Sequence, residues 1–460
     1  MWSRRLCTVA IFLLGGMLPA IMAQRAEPID LGEQDDRQYS FLDPLLRNVE
    51  VVSLSESIHM THEFPLARLG VVRRLNGNSG FNVLAFEGSP EDVWVSQDAF
   101  LKNQGDLYDS TSGLFGIWNT DEMRAIFAYE RDSWSTGHGL YVTAYDIQPG
   151  TGKGSGGERV FEMLQEHLAQ YAPPPSGLKA TTWNAALIPL TAACTSYKSS
   201  DKPAAVQAIG ILEQWIAVAA PRVDAAYPTL PMHAEALRLI PQNLRMSLSL
   251  CETVGGSEHG SRNWQEYKQS RDRLSAQFAM LVKNAAPKQR LILWAHLSHL
   301  SYDADGTNTS VGELLHQALG PKLYSIGTFA TGGGTIVLFS DVNEDFGYTR
   351  LSGISKGIRV FTNEACAEVC FTDLHNLPAG SPLAGRQSLW VEAKDEILPL
   401  TAEVDGVIWV KDVHPPRLPL LLLFIFAGKH YIPHAIALMV LLAGIIVWRA
   451  YRRRQRRTAR

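Results

Sequence analysis

Glu56 and His59 stand three positions apart in the stretch SLSESIHMTHEFPLARLGVVRRLNGNSGFNVLAFEG, residues 53 to 88, with His62, Glu63, Arg68 and Glu87 close behind. Charge gathered between apolar segments is costly to bury, so the cluster calls for a purpose. A carboxylate beside a histidine can orient the imidazole and stabilise its cation, which suits the ring for taking a proton from water. Arginine offers a fixed positive charge to a developing oxyanion. Further along, RLILWAHLSHL supplies His296 and His299, and GLYVTAYDIQ supplies Asp146 and Gln148. Base, cation and acid together can activate water and stabilise the charge that develops as it attacks.

The elements that must position these groups are legible in the hydrophobic pattern. Residues 49–54, VEVVSL, read as a buried strand. The next segment, EFPLARLGVVRRL, has helical spacing, with Pro65 in a tolerated first-turn position, and NGNSG at 76–80 predicts its end. FNVLAFEG is a second strand ending in Glu87. Strand, helix, strand predicts a parallel sheet. Apolar runs at 140–145 and 291–295 predict two more strands, delivering Asp146 and Gln148, then His296 and His299. Ligands of such sheets bind beyond the carboxyl ends of the strands, so these residues should share one rim, with Arg68 reaching it from one turn into its helix. Helices are expected at 158–172, 204–220 and 264–285, with APPPSG at 172–177 as a connection. The fold expected is α/β, a mostly parallel central sheet flanked by helices, with a helical cap over about 179–285.

Composition narrows the class. The 460 residues carry 42 Lys and Arg against 46 Asp and Glu, which gives no electrostatic case for nucleic acid. Residues 1–23 have Arg4 and Arg5, an apolar run and small residues ending at Ala23, the layout of a secretory signal. A linker is expected over 24–41, ahead of the folded body. Residues 418–428, LPLLLLFIFAG, are too short to span and suit a membrane interface, within a juxtamembrane segment 416–430. Residues 431–448 are apolar over about one bilayer, and 449–460 are rich in arginine, which predicts a membrane helix with a cytoplasmic tail. The body would then lie on the periplasmic side of the plasma membrane. Cys194, Cys251, Cys366 and Cys370 remain after the signal, an even number available for disulfides, the local pair and the distant pair being favoured.

SESIHMTHEFPLARLGVVRRLNGNSGFNVLAFEG, WNTDEM, YDIQ, RDRLSAQF, LWAHLSHLS and LPLTAEVDGVIWV, in this order and spacing, resemble successive blocks of the erythromycin esterase-like hydrolases over about 42–415. The resemblance implies a hydrolase of cyclic or simple esters that needs no metal or other cofactor. It implies a pocket of Glu56, His59, Arg68, Glu87, His296 and His299, with His59 the general base. Ser55, Met60, Leu297 and Ser298 depart from the family pattern beside these positions and bear on substrate identity. In the chemistry expected, Glu56 orients His59, Arg68 stabilises the oxyanion or holds Glu87, and His296 protonates the leaving alcohol with His299 in support. Asp146 and Gln148 are expected to contact substrate. Two alternatives use the same cluster: a metal-dependent hydrolase, although E-x-x-H and H-x-x-H lack the spacing of the H-E-x-x-H helix, and a tethered binding protein without turnover.

Overall fold

Strands buried on both faces should read as apolar runs, and residues 83–86 and 291–295 do, whereas the strands at 51–56 and 323–330 add small hydroxyl residues that are buried with them. The computed structural model describes residues 26–33, 35–150, 158–255, 264–285, 289–302, 309–337, 347–391 and 394–417. Among the described residues the strands are β1 (Glu27–Ile29), β2 (Val51–Glu56), β3 (Phe81–Phe86), β4 (Tyr141–Ala144), β5 (Arg290–His296), β6 (Leu323–Ala330), β7 (Gly334–Val337), β8 (Gly347–Arg350), β9 (Val369–Asp373), β10 (Arg386–Val391), β11 (Lys394–Pro399) and β12 (Gly406–Val410). Eight of them form one sheet in the order β1-β9-β12-β6-β2-β5-β3-β4. From β12 to β4 every pairing is parallel, while β9 and β1 are added antiparallel. β7 with β8, and β10 with β11, form two-stranded ribbons.

The four strands expected to deliver site residues are neighbours: β2, β5, β3 and β4 lie side by side. β5 is inserted between β2 and β3, so the crossover through the helix Glu63–Ser79 spans two sheet positions. That helix runs through Asn76 to Ser79, past the expected turn at 76–80. Asn76 is buried and donates from Nδ2 to the Phe81 carbonyl at 3.2 Å and to Asn82 at 3.1 Å. These bonds satisfy a side chain that otherwise favours turns. The stop is at Gly80, whose φ of 70° glycine adopts without Cβ strain.

Each face of the sheet has its own core. Phe64, Leu69, Val72 and Leu75 of the helix Glu63–Ser79 pack with Leu54, Phe86, Trp294 and Ile326 on one face. On the other, Val51, Val83, Ala85 and Leu293 meet Trp94 and the apolar stripes of the helical layer. A fully buried side chain of this kind contributes about 1.5–3 kcal/mol. The helical layer comprises Glu158–Tyr171, Ala180–Leu187, Lys202–Ala226, Pro231–Val254 and Trp264–Ala285, with Pro231–Val254 packed against both of its long neighbours. A disulfide joins Cys194 to Cys251 within it, and a second joins Cys366 to Cys370, the two pairings favoured by the sequence.

Residues 27–29 correct the expected linker of 24–41: they form the edge strand β1, paired with β9, and Tyr39 is buried in the core. The expected signal at 1–23 and membrane helix at 431–448 lie outside the described residues. Among the described residues one helical stretch, Ser199–Ala226, is long and apolar enough to cross a membrane, and it is packed into the helical layer through Ile209, Leu212, Trp215 and Ile216.

Candidate active site

The sheet order sets the site. Glu56 ends β2 beside His296 at the end of β5, Glu87 follows β3, and Asp146 follows β4. The Glu87 amide donates to the Trp294 carbonyl at 2.8 Å and the Tyr145 amide to the Phe86 carbonyl at 3.0 Å, so the pairing continues to the rim.

Glu56 is held from both sides. Its Oε2 pairs with Arg68, and its Oε1 accepts from His59 Nδ1 at 2.7 Å. A carboxylate on Nδ1 puts that proton on the ring, which leaves the lone pair on Nε2. A quarter of the His59 side chain is solvent-accessible, whereas Arg68 has no exposure. Desolvation, the largest influence, pushes the His59 pKa down to about 3, against the pull of Glu87. The ring is therefore neutral at pH 7. Trp118 meets it edge-on at 5.0 Å between centroids, and the His296 ring lies 4.7 Å away.

Arg68 does not reach the rim. Its guanidinium stacks 3.8 Å over Trp294, and its other nitrogens donate to the Leu54 and Phe64 carbonyls at 3.4 and 3.5 Å. It supports Glu56 from beneath, and the expectation that it holds Glu87 or faces an oxyanion is replaced. The cation on Glu87 is Arg271, from the helix Trp264–Ala285. Its Nη2 donates to Glu87 Oε1 at 2.9 Å, and its Nε and Nη2 donate to the two Asp146 oxygens at 2.8 and 2.5 Å. Burial opposes the Arg271 charge, but Asp146 and Glu87 outweigh it and raise its pKa well above the usual value.

Glu87 also accepts from the His296 amide at 3.2 Å and lies 3.4 Å from His299 Nε2. Burial alone would raise its pKa; His299, Arg271, His59 and that amide overcome burial and bring it to about 2. His299 donates from Nδ1 to Asp272 at 2.7 Å. Burial, the largest influence on His299, disfavours its cation, but Asp272 and Glu87 together raise its pKa above the usual value. His296 is engaged differently. Its Nδ1 accepts from the Ser298 amide at 3.1 Å and its Nε2 donates to the Ser57 carbonyl at 3.1 Å, which fixes a neutral tautomer. Asp146 takes Ile147 N–H at 2.8 Å, Ser275 Oγ at 2.9 Å and Gln148 Nε2 at 3.0 Å besides Arg271, so it anchors the rim, and Gln148 leans on it.

Six expected residues thus meet in one cluster, with Arg68 beneath it and Gln148 at its margin. Sequence reading assigned no role to Arg271 or Asp272, although both stand in the RDRLSAQF block. The available signal was the charge balance: two rim carboxylates, Glu87 and Asp146, had no cation of their own. His62 binds Glu122 at 2.5 Å, whereas His138 is exposed. The loop carrying His59 is tightly held. Met60 takes a left-handed φ of 59°, a conformation costing a non-glycine residue about 1–2 kcal/mol, and its carbonyl accepts from Thr335. Among the described residues no three His, Cys, Asp or Glu converge as metal ligands.

A sequence profile described as Erythromycin esterase matches residues 77–413. The chain belongs to the erythromycin esterase family. The match contains Glu87, Asp146, Arg271, His296 and His299 and begins after Glu56, His59 and Arg68, later than the resemblance from residue 42. A Bacillus subtilis (strain 168) protein named "Putative hydrolase YbfO" is 22% identical over 432 residues, which is 85% of this chain and 90% of that protein. Family membership makes this a hydrolase of the erythromycin esterase type. Solved structures agree on the fold. A Bacillus cereus protein, 17% identical, superimposes with a TM-score of 0.63 over 86% of this chain and 97% of its own. A succinoglycan biosynthesis protein, 14% identical, does so at 0.59 over 87% and 97%. A mutant of the erythromycin esterase EreC in its open conformation, 16% identical, does so at 0.53 over 85% and 97%.

Proposed function

We propose that this member of the erythromycin esterase family hydrolyses a carboxylic ester or lactone through water activated by His59, without a covalent intermediate. The observation that carries the reading is the pairing of a neutral His59, held at Nδ1 by Glu56, with the cationic group Arg271–His299 across the same rim. His59 Nε2 takes a proton from water as the water oxygen bonds to the acyl carbon. Glu56 stabilises the imidazolium, and Arg68 braces Glu56 from beneath without touching substrate. The developing oxyanion faces the charge of Arg271, pre-organised by Asp146 and Glu87. As the acyl–oxygen bond breaks, the departing alkoxide takes a proton from His299; the acid product carries the hydroxyl delivered by the water, and the proton held by His59 passes through solvent to restore the His299 cation.

His299 is assigned the acid because its carboxylate partners Asp272 and Glu87 favour its cation; His296 accepts an amide N–H at Nδ1, which disfavours a cation there, so that ring shapes the rim instead. In the same proposal the domain is exported and held at the membrane by residues 431–448, with its site outside the cytoplasm. The test is turnover by the full chain of a panel of alkyl esters, aryl esters and macrolactones, with and without EDTA. Chelator-resistant hydrolysis supports the reading. Hydrolysis abolished by EDTA and restored by a divalent metal contradicts it, as does binding without turnover.

A further inference from the structure

The chain leaves the sheet at the edge that carries the site. β12 runs parallel to β6, and β6 to β2, so residues 411–417 emerge on the rim of Glu56. They form a strap over the loop that bears His59. The His62 amide donates to the His414 carbonyl at 2.8 Å, while the His414 amide and Nδ1 bind the Glu63 carboxylate at 2.9 and 2.7 Å. The Arg417 amide donates to Glu122 Oε1 at 3.0 Å, and the Asp121 amide donates to the Arg417 carbonyl at 3.0 Å. Glu122 is the same carboxylate that holds His62. Arg417 is thus fixed beside the N-terminus of the helix Asp121–Ser133, just after Trp118, which packs on His59.

The sequence beyond Arg417 is not a polar stalk. Residues 418–428, LPLLLLFIFAG, contain no charged residue, and the 431–448 apolar stretch comes directly after His430. An apolar run of this length, too short to span, suits a bilayer interface. With no spacer between the last rim-bound residue and this run, the rim itself is brought to the membrane surface.

We infer that the mouth of the site faces the bilayer and that its substrate is an amphiphilic ester whose hydrocarbon part is dissolved in that bilayer. This rests on the proposed esterase activity and names its substrate class. Tethering enzyme and substrate to one surface raises their effective concentration, which a water-soluble ester does not gain.

The test uses the full chain in phosphatidylcholine vesicles and two esters of one alcohol, a long-chain acyl ester held in the bilayer and its water-soluble short-chain homologue. The long-chain ester should turn over at least tenfold faster at equal total concentration. A helical spacer of about 20 residues between Arg417 and Leu418, adding about 30 Å at ~1.5 Å per residue, should remove that advantage and leave the short-chain rate unchanged. Equal rates, or indifference to the spacer, overturn the inference while leaving the esterase intact. If neither ester turns over, the esterase reading fails instead, and orientation is read by energy transfer from dyes at Asp121→Cys and His375→Cys to a lipid-borne acceptor. Asp121 lies on the rim; His375 follows β9 at the opposite edge, about 26 Å away along eight strand residues at ~3.3 Å each. Stronger transfer from position 121 is expected, and equal or reversed transfer overturns the orientation.

Discussion

Replacing Glu56 by Gln alters one member of an ion pair that is shut off from water. Glu56 is 1% exposed and Arg68 0%, so solvent cannot screen what is lost. A glutamine amide cannot accept from both the guanidinium and His59 Nδ1–H. If its NH2 turns to Arg68, a buried cation faces a donor. If it turns to His59, the ring must take the other tautomer, and the Nε2 lone pair is lost. Breaking a buried pair by removing one charge costs about 3–5 kcal/mol. Loss of a positioned base lowers kcat about 10²- to 10⁴-fold. Glu56→Gln should show both losses. Adding Arg68→Met removes the stranded cation and leaves a polarizable side chain over Trp294, where Arg68 now stacks at 3.8 Å. The double variant should recover to within about 1–2 kcal/mol of wild type while kcat stays low, since replacing both members of a buried pair by groups of similar volume is often near neutral. Urea denaturation and steady-state hydrolysis of one ester measure the two effects separately. A double variant no more stable than Glu56→Gln, or a Glu56→Gln enzyme within threefold of wild-type kcat, would refute the reasoning.

Arg271→Met leaves Glu87 and Asp146 without their shared cation and should cost about 10²- to 10³-fold in kcat, with Arg271→Lys intermediate because a lysine cannot repeat the two-pronged contact. The pH–rate profile should have its acid limb well below 6.5, because His59 must be neutral and its pKa is lowered to about 3. The alkaline limb should lie above 6.5, because His299 must be cationic and its pKa is raised, and His299→Gln should abolish that limb. Asp98, fully buried away from the site, binds His167 at 2.6 Å, Lys102 at 2.6 Å and His233 at 3.2 Å. Burial opposes its charge, but His167, His233 and Lys102 hold its pKa well below the carboxylate range. Its contribution is therefore present above that range and lost as pH falls through the lowered value. Asp98→Asn should lower stability by about 3–5 kcal/mol at pH 7 and leave kcat per folded molecule unchanged.

Local pattern carried the strand ends because each site strand is an apolar run closed by a polar residue, and parallel pairing then forces Glu56, Glu87, Asp146 and His296 onto one edge. The partners of those residues depend on packing between elements far apart in the chain. Arg68 is near Glu87 in sequence yet buries itself under Glu56, because β5 intervenes between β2 and β3 and puts Trp294 beneath its guanidinium. Arg271 comes from a helix 184 positions after Glu87, and nothing in its own helical pattern distinguishes it from a surface arginine. β1 was missed for a similar reason. Three residues, Glu27–Ile29, have no readable period, and only pairing with β9 makes them a strand.

The central claim is that His59 activates water without help from a metal. The most direct measurement is the ester-hydrolysis rate of the EDTA-treated full chain beside that of His59→Ala. The account predicts that the chelated wild type keeps its rate and that the variant, with the same melting temperature, loses about 10²- to 10⁴-fold. Undiminished turnover by His59→Ala would contradict it, as would a wild-type rate that vanishes on chelation and returns with added zinc.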